Sequence, residues 1–417
     1  MPHDRAPPAV ATTAQAAAVR MTPAERRATA GLAGIFGLRM LGMFIVLPVL
    51  ALYAETLPGG RDHTLVGLAL GAYGLTQAVL QVPFGWASDR WGRKPIIIAG
   101  LVIFATGSFI AAWAPTIAWT IIGRAVQGAG AISAAVIALT ADLTRDIVRS
   151  RAMAAIGMTI GATFALSLVI APALTPVIGV PGIFVMTGVL AFGAIALLGY
   201  AAPDAVPMPQ RKDTRSQWRR VFADRDLLRL NYGIFALHAA LMALFVQVPF
   251  MLRDNGVAAP RHWLVYLPVL AASVVLMLPA LWQADRPGRG KPVFVGAVAV
   301  LLSGQALLAM AGASLPLTIG ALVVFFTAFN LLEATLPSLV SKFAPAAVRG
   351  TAVGVYSSVQ FFGAFVGAAA GGWLSQWHGA AAVFGLGLVL TLLWLAVSAT
   401  MSAPPAYNQG NYSMGET

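Results

Sequence analysis

The chain has 417 residues, of which 59% are hydrophobic and only 10% are charged. A soluble domain carries roughly 25% charged residues, so this balance excludes an ordinary soluble protein and indicates a chain surrounded mostly by lipid. The net charge of +12 raises nucleic acid as a partner, and the absence of cysteine excludes disulfides and thiolate metal sites. The positions of the basic residues, described below, account for the charge without nucleic acid.

Long apolar runs recur along the chain. A spanning helix needs about 20 mainly apolar residues, so each run predicts one transmembrane helix, and the twelve are named here spans 1 to 12. In chain order the spans cover 31–54, 64–87, 95–114, 117–141, 152–172, 181–201, 229–251, 263–283, 292–311, 316–340, 350–373 and 380–400. The one long hydrophilic segment, 203–228, contains RKDTRSQWRR and separates six spans from six.

The sequence therefore predicts an all-α polytopic membrane protein with two six-helix bundles, at 29–202 and 229–401. We expect 203–228 to be a cytoplasmic loop between them. The first 30 residues contain no apolar core of a secretory signal peptide. We expect residues 1–28 to form a mostly disordered cytoplasmic tail with a short helix near its end, and 402–417 to form a polar, disordered tail.

Lysine and arginine side chains mark one side of the membrane. With the N-terminus inside, 22 of the 27 basic residues lie in cytoplasmic segments, and only Arg61, Arg253 and Arg261 lie in outside loops. The other two, Arg39 and Arg124, lie within spans. This bias predicts that both termini are cytoplasmic and indicates a multi-pass protein of a bacterial inner membrane.

The two halves carry a similar segment around their second spans. Span 2 opens with HTLV at 63 and ends with DRWGRK from Asp89, whereas span 8 opens with HWLV at 262 and ends with DRPGRGK from Asp285. The two aspartates are 196 positions apart, close to half the chain. This repeat indicates that the two bundles are pseudo-symmetric.

The segment GWASDRWGRK at 85–94 joins spans 2 and 3. It is similar to the signature loop of the major facilitator superfamily, which implies that family's twelve-helix fold. Asp89 can lie against the positive N-terminus of span 11, near Gly350, and Arg93 can reach Asp142. Such a cluster would latch the halves together on the cytoplasmic side, and the alternative is an ordinary basic loop. The predicted latch residues are Gly85, Asp89, Arg90, Gly92, Arg93, Lys94 and Asp142.

A second segment, RAVQGAGA from Arg124, resembles the motif of the family's fourth helix. In that motif an arginine within the membrane is tied to the coupling of transport. An arginine at this depth costs roughly 2.5–3.5 kcal/mol unless it is paired or hydrated. The alternative explanation is that Arg124 extends toward the outer surface.

Further segments resemble a bacterial branch of the superfamily, the YajR-type transporters, which are regarded as proton-driven drug exporters. They include MTPAERR at 21–27, LRMLGM at 38–43, LPVL at 47–50, FNLLEA at 329–334 and GTAVGVYS at 350–357. The likeness covers roughly residues 21–405. Longer members carry a small cytoplasmic domain after span 12, and we expect this chain to lack it. Span 5 keeps a proline, in APA at 171–173, but lacks the glycine-rich pattern of many exporters.

Polar side chains inside the spans predict the transport path. Arg39, Arg124, His238 and Glu333 lie in spans 1, 4, 7 and 10, which are equivalent in a three-helix repeat and line the central cavity in the superfamily. The predicted substrate-cavity residues are Tyr73, Gln77, Gln81, Gln127, Tyr356 and Gln360. On spans 2 and 11 they recur every four residues and so share one helix face. The alternative role for these side chains is hydrogen bonding between helices.

Glu333 is the best candidate for the group that carries a transported proton. It is the only one of 15 carboxylates well inside a span. We expect Asn330, one turn earlier, to hydrogen-bond its carboxyl group, and Arg39 to be its counter-charge; a purely structural ion pair with Arg39 is the alternative. His238, the only deep histidine, is the second candidate.

These features predict a secondary active transporter that exports amphipathic or drug-like small molecules in exchange for protons by alternating access. We expect a monomer in the lipid bilayer, with small-molecule substrates and protons as partners and no nucleic acid, cofactor or enzymatic activity. The alternative is a copper or other metal transporter. His238 and Met242 lie one helical turn apart, and imidazole and thioether groups suit copper(I).

Overall fold

The computed structural model describes residues 21–202, 214–284, 286–345 and 348–402; of residues 146, 150 and 214–218 it describes only the backbone. The predictions for the chain before residue 21, for 203–213, for Asp285 and for the tail after residue 402 fall outside these residues. Within them every regular element is helical, and the α-helices are named α1 to α14.

The helices begin and end close to the predicted spans. They are α1 Pro23–Phe44, α2 Leu47–Ala54, α3 His63–Trp91, α4 Arg93–Ala112, α5 Ile117–Ala129, α6 Ser133–Asp142, α7 Asp146–Ala201, α8 Thr214–Ala223, α9 Arg225–Asp254, α10 Trp263–Ala284, α11 Gly290–Met310, α12 Leu315–Phe343, α13 Arg349–His378 and α14 Ala380–Ala399, with a short 3-10 turn at Ala259–Arg261 between α9 and α10.

The described residues contain eleven helical stretches long and apolar enough to cross a membrane, and one of them, Ile147–Ala201, is 55 residues long. That stretch turns back at Gly179, whose φ of 68° and ψ of 172° interrupt α7. Glycine adopts this backbone conformation readily because it has no Cβ atom. Helix α7 therefore contains spans 5 and 6, and the predicted twelve crossings are confirmed.

Two predicted spans contain a break. Span 1 is divided between α1 and α2 just before Pro48, whose ring cannot continue a hydrogen-bonded helix. Span 4 is divided between α5 and α6 around Gly130. Glycine is a poor helix former, and the break leaves the Gly130 carbonyl group available to a side chain. This second break positions part of the candidate site.

Helix α1 begins earlier than the predicted bundle boundary at residue 29. Thr22 caps the helix, its hydroxyl accepting from the Glu25 backbone N–H while the Glu25 carboxylate accepts from the Thr22 backbone N–H at 2.8 Å. This reciprocal capping box, with Pro23 in the first turn, is a strong helix start. The helix of span 1 therefore begins at Pro23, inside the segment predicted as a tail with a short helix near its end, and the boundary at residue 28 stays a prediction.

The helix ends alternate between two faces of the molecule. One, named here the basic face, carries the basic residues of four connections: Arg90, Arg93, Lys94, Arg145, Arg149, Arg151, Arg286, Arg289, Lys291, Lys342 and Arg349. The other, named here the opposite face, contains the connections at 55–62, 113–116, 255–262 and 311–314 and the turn at Gly379. Helices α1–α7 form the first bundle and α9–α14 form the second.

Side chains of the two bundles meet at the opposite face. There His63 of α3 contacts Ser375 of α13, and Glu55 forms an ion pair with Arg253 at the end of α9. Deeper in the molecule, the Phe164 ring of α7 packs against Phe245 of α9, with ring centroids 6.3 Å apart. The described arrangement is therefore closed at the opposite face.

Candidate transport site

Arg39 lies at the centre of a hydrogen-bonded network in the first bundle. Its side chain is almost completely buried, with 1% exposed. Its Nε donates to the Gly130 carbonyl at the break between α5 and α6 (3.3 Å), and Nη1 donates to Ser133 Oγ (2.7 Å). Its Nη2 donates to Gln77 Oε1 of α3. All three nitrogen atoms of the guanidinium group thus donate hydrogen bonds within the first bundle.

The network continues along α3, where Gln77 Nε2 donates to Gln81 Oε1 at 2.7 Å. The ring of Tyr73, one turn before Gln77, lies near both arginines, its centroid 5.9 Å from the guanidinium carbon of Arg39 and 4.8 Å from that of Arg124. Both distances permit cation–π attraction, which is strong for desolvated cations. The ring therefore links two buried positive charges.

Arg124 connects this network to α4. Its Nη1 donates to Gln127 Oε1 at 2.5 Å, and Gln127 Nε2 donates to Ser108 Oγ at 2.8 Å. Arg124 has 1% of its surface exposed, so extension toward the outer surface is contradicted. The arginine–tyrosine network is defined here by Arg39, Tyr73, Gln77, Gln81, Arg124 and Gln127.

Four residues of this network were predicted to line the substrate cavity. The exposed fractions of Tyr73, Gln77, Gln81 and Gln127 are 1, 0, 2 and 0%, so in this arrangement their side chains present almost no surface to a cavity. Hydrogen bonds of Gln77 and Gln127 join α1 to α3 and α4 to α5 instead, whereas the Tyr73 hydroxyl group has no hydrogen-bond partner among the described residues. The alternative given for these residues, hydrogen bonding between helices, therefore describes Gln77 and Gln127.

The second bundle contains a cluster with a carboxylate. Gln360 of α13 donates through Nε2 to His238 Nε2 of α9 (2.8 Å) and to Glu333 Oε1 of α12 (3.4 Å). The second oxygen, Glu333 Oε2, lies 3.9 Å from His238 Nε2. These three side chains define the carboxylate–histidine cluster, and the structure brings together both residues predicted to carry a proton.

The surroundings of this cluster are largely apolar. His238 is buried and its ring lies 5.9 Å from that of Phe329, whereas the Glu333 side chain keeps 28% of its surface exposed. Tyr356 is buried one turn before Gln360, and its hydroxyl group has no hydrogen-bond partner among the described residues. The cluster thus has one partly accessible acid and one buried base.

Two predicted partners of Glu333 are found elsewhere. Asn330 donates to Ser273 Oγ of α10 at 2.9 Å, so its amide group is engaged by a neighbouring helix rather than by Glu333. Arg39 uses its donors on the first bundle, as described above. Among the contacts of the described residues, the predicted counter-charge is therefore wrong, and a histidine and an amide lie beside Glu333 instead.

Three of the predicted latch residues, Asp89, Arg93 and Asp142, contact one another within the first bundle. Arg93 Nε donates to Asp142 Oδ2 at 3.2 Å, as predicted, and Nη1 donates to Asp89 and to Ser88 Oγ (2.8 Å). Gly92, with a φ of 96°, makes the tight turn that aims Arg93 at these groups. Ser88 was not predicted, although its position one residue before Asp89 places it within reach.

The contact of Asp89 with the second bundle stays a prediction. The Asp89 side chain is 55% exposed, and a Cβ atom built on Gly350 of α13 would meet open space. Arg90 lies over the exposed ring of Trp86, with its guanidinium carbon 5.6 Å from the ring centroid. Gly85 lies against Ala134 of α6, and Lys94 is in the first turn of α4.

A second ion pair at the basic face was not predicted. The buried Glu25 carboxylate accepts from the backbone N–H of Arg145 (3.1 Å), from its Nε (2.8 Å) and from its Nη2 (3.0 Å). The Glu25 hydrogen bond raises the pKa of Arg145 above its usual value. This pair joins the start of α1 to the connection between α6 and α7. The capping sequence TPAE signalled the helix start but not a partner 120 residues away.

Of the two residues proposed as copper ligands, His238 already contacts other side chains. His238 Nε2 faces Gln360 and Glu333, and Met242 is buried one turn further along α9. Among the described residues, no group of three or more histidine, cysteine, aspartate or glutamate side chains is placed to hold a metal ion. Methionine lies outside that search, so the copper alternative stays a prediction.

The structure has two six-helix bundles joined by short loops, with a carboxylate and two buried arginines inside the helices. This arrangement defines a membrane transporter rather than a soluble protein. The family model described as Major Facilitator Superfamily matches residues 32–368 and 262–415, and the chain belongs to this family.

Known relatives agree with this assignment. The chain is 44% identical over 389 residues to "Inner membrane transport protein YajR" of Escherichia coli K12, covering 93% of this chain and 86% of that protein. It is 25% identical over 362 residues to "Multidrug resistance protein MdtH" of Aeromonas hydrophila, covering 81% and 85%. The fold is similar to the crystal structure of a bacterial homolog of the human lysosomal transporter Spinster, with a TM-score of 0.75, 14% identity and coverage of 91% and 97%.

Proposed function

We propose that this transporter exports small amphipathic molecules in exchange for protons, and that the carboxylate–histidine cluster is the proton site. The observation that supports this most is the bridging of His238 and Glu333 by one amide group. Glu333 is also the only carboxylate of the whole sequence well inside a predicted span. A relative named as a multidrug resistance protein is consistent with this substrate class.

The hydrogen bonds of Gln360 assign an acceptor role to one atom of His238 and to one atom of Glu333. An amide nitrogen carries two hydrogens, and here one is directed at His238 Nε2 and the other at Glu333 Oε1. Both of these atoms therefore act as acceptors. Glu333 Oε2 and His238 Nδ1 have no hydrogen-bond partner among the described residues, so these two atoms are the positions left for a proton.

A proton on this cluster would change the hydrogen bonds that its side chains can form. Protonation of His238 Nε2 turns that atom into a donor, and the Gln360 amide must rotate to present its oxygen. Gln360 is on α13, the helix that packs against α3 of the first bundle. Proton binding thereby favours one arrangement of α13 against α3 over another. A ligand such as a proton shifts the equilibrium between two arrangements only if it binds them with different affinities.

Exchange follows if proton and substrate compete for the same group. An ionised Glu333 attracts a substrate that carries positive charge or hydrogen-bond donors, and a protonated Glu333 does not. The partly exposed carboxyl group is accessible for such a contact, and the Phe329 ring offers an apolar surface beside it. We further propose that the basic face is cytoplasmic, because positive loops stay on that side of a bacterial inner membrane.

The proposal is tested with inverted membrane vesicles that are acidified inside. Wild-type protein should accumulate a fluorescent amphipathic cation, and an uncoupler should abolish the accumulation. Glu333→Gln should retain binding of the probe but lose accumulation driven by the pH gradient. Glu333→Asp is the matched control, because it keeps an acid and should keep part of the coupling. Wild-type accumulation by a correctly inserted Glu333→Gln protein would contradict the proposal.

A further inference from the structure

A small pocket opens between helices of the second bundle at the basic face. It is lined by residues from the start of α11, from α12 and from the chain just after α14, namely Gly290, Lys291, Phe294, Leu339, Met401 and Ser402. Phe294 and Met401 are buried, with 4 and 5% of their surfaces exposed. The pocket therefore has an apolar floor, and Lys291 carries the only charge among its lining residues.

A second lysine lies beside this pocket. Lys342 follows Leu339 by three residues on α12, and side chains at that spacing lie on the same helix face one turn apart. Lys291 and Phe294 have the same spacing on α11. Lys291 comes just before span 9 and Lys342 just after span 10, whereas Phe294 and Leu339 lie inside these spans. Two ammonium groups thus border the pocket where the apolar spans end.

The basic residues of the two bundles differ in their partners. In the first bundle Arg93 pairs with Asp89 and Asp142, and Arg145 pairs with Glu25. The second bundle supplies five basic residues to the basic face, and none of them forms an ion pair with a carboxylate that the structure describes: Arg286, Arg289, Lys291, Lys342 and Arg349. These five positive charges remain available to an anion from outside the protein.

The carboxylate of Asp226 lies near the same pocket but does not neutralise the two lysines. It accepts from the backbone N–H of Ser402 at 3.4 Å and from Arg229 Nη1 at 2.8 Å. Because Asp226 already forms an ion pair with Arg229, the two together contribute little net charge to the pocket. The surroundings of the pocket therefore stay positive.

Exposed tryptophans place the basic face at the level of the lipid headgroups. Trp282, close to the end of α10, has 68% of its surface exposed, and Trp86 and Trp91 near the end of α3 have 56 and 61%. Tryptophan side chains concentrate where the hydrocarbon of a bilayer meets the headgroups. A pocket at this level is reached by the phosphate group and the upper part of an acyl chain of the same lipid.

We propose that this pocket, named here the lysine pocket and defined by Lys291, Phe294, Leu339, Lys342 and Met401, binds an anionic phospholipid. The phosphate group accepts hydrogen bonds from the two ammonium groups, and an acyl chain packs against the three apolar side chains. Basic pockets between transmembrane helices suit anionic headgroups. A zwitterionic lipid offers the same chain but carries a positive group of its own, which the surrounding cations repel.

The test uses the absence of cysteine from the sequence, because one added cysteine carries a fluorophore at a chosen place. Ser338→Cys puts the fluorophore on an exposed residue beside Leu339, and Val389→Cys puts it at a 58% exposed site on α14, twelve residues before Met401. Each labelled protein is placed in phosphatidylcholine bilayers with increasing brominated phosphatidylglycerol or brominated phosphatidylcholine. The quenching measures the affinity of one lipid relative to the other at each site.

We expect phosphatidylglycerol to bind at least about fivefold more tightly than phosphatidylcholine at Ser338→Cys, and about equally at Val389→Cys, since one basic group near an anionic headgroup contributes about that factor. Lys291→Gln combined with Lys342→Gln should remove the preference at Ser338→Cys. Arg219→Gln combined with Arg220→Gln is the matched control, because it removes two exposed charges from α8 and should keep the preference. If the double lysine variant fails to insert, Lys342→Gln alone should lower the preference about fivefold.

Equal quenching by the two lipids at Ser338→Cys, or a preference that survives the lysine substitutions, would overturn the proposal. Loss of the preference in the arginine control would also overturn it, because the attraction would then be diffuse. Inorganic phosphate, compared with chloride at the same ionic strength, should leave the preference unchanged; its loss would show that the pocket takes free phosphate rather than lipid. The measurement uses neither transport substrate nor pH gradient, so its outcome is independent of the proposed proton exchange.

Discussion

Glu25 offers a sharp test of how the start of α1 is held. Its carboxylate accepts hydrogen bonds from the Thr22 backbone and from three nitrogen atoms of Arg145, and its side chain is only 8% exposed. Loss of a capping side chain costs about 0.5–2 kcal/mol. Hydrogen bonds to charged groups contribute about 1.5–3 kcal/mol, but the Arg145 side chain is 47% exposed and water replaces much of that contribution. We therefore expect Glu25→Ala to destabilise the protein by about 2–3 kcal/mol.

The measurement is thermal unfolding of the purified protein in one detergent, followed by the fluorescence of its tryptophans. Glu25→Gln should cost about 1 kcal/mol, since glutamine still completes a capping box but lacks the charge that Arg145 contacts. Asp62→Asn is the control, because asparagine caps a helix as well as aspartate does and Asp62 is exposed at the start of α3. A Glu25→Ala protein that unfolds at the wild-type temperature would refute the reasoning.

Two further predictions concern the latch and the arginine–tyrosine network. Asp89→Asn removes one partner of Arg93. Because Asp89 is 55% exposed, the ion pair contributes about 0.2–1 kcal/mol, so we expect transport in vesicles to fall about 1.4- to fivefold with insertion unchanged; a wild-type rate would exclude the latch. Tyr73→Phe keeps the ring between Arg39 and Arg124 and should unfold at the wild-type temperature, whereas Tyr73→Leu should lose about 2 kcal/mol. Equal stability of the phenylalanine and leucine variants would show that the ring does not stabilise the two charges.

The two bundles treat buried charge differently. In the first, Arg39 and Arg124 are almost completely buried beside one aromatic ring. Arg39 donates to amide, hydroxyl and carbonyl oxygens, and Arg124 donates to the Gln127 amide oxygen, although its Nε has no hydrogen-bond partner among the described residues. In the second, Glu333 keeps an exposed fraction and a weak 3.4 Å hydrogen bond. A well-satisfied network rigidifies its surroundings, whereas a loosely held group can change partners. This contrast is the reason that we propose the second bundle, rather than the first, as the one that responds to protons.

The predicted cavity residues show where reasoning from periodicity stops. Gln77 and Gln81 share a helix face with Tyr73, and the stripe they form is real, but the stripe faces α1 and α5. Gln360 occupies a similar stripe on α13 and faces Glu333. Periodicity defines a face of a helix, and only the rotation of that helix in the bundle determines whether the face meets a neighbour or the transport path.

Local chemistry explains why so much of the fold was predictable from the sequence alone. In a bilayer every backbone group must be satisfied within its own helix, so runs of apolar residues determine the helices without help from distant parts of the chain. The turn at Gly92 followed from a short motif, whereas the Arg93–Asp142 contact was expected from the position of Asp142 at the end of span 4. The family resemblance, carried by such local segments, is confirmed by the family match.

What only the tertiary structure decided are the pairings between distant polar residues. Arg39 contacts residues 38 to 94 positions away, Glu25 meets Arg145 120 positions away, and Gln360 meets His238 122 positions away. Each pairing depends on how far two helices are rotated and shifted against each other. Successive residues are turned by about 100° around a helix, so a small error in the assumed rotation of a helix brings a different residue to the contact. The sequence determined that Glu333 is a deep acid, and the packing of three helices determined that its neighbours are His238 and Gln360 rather than Arg39.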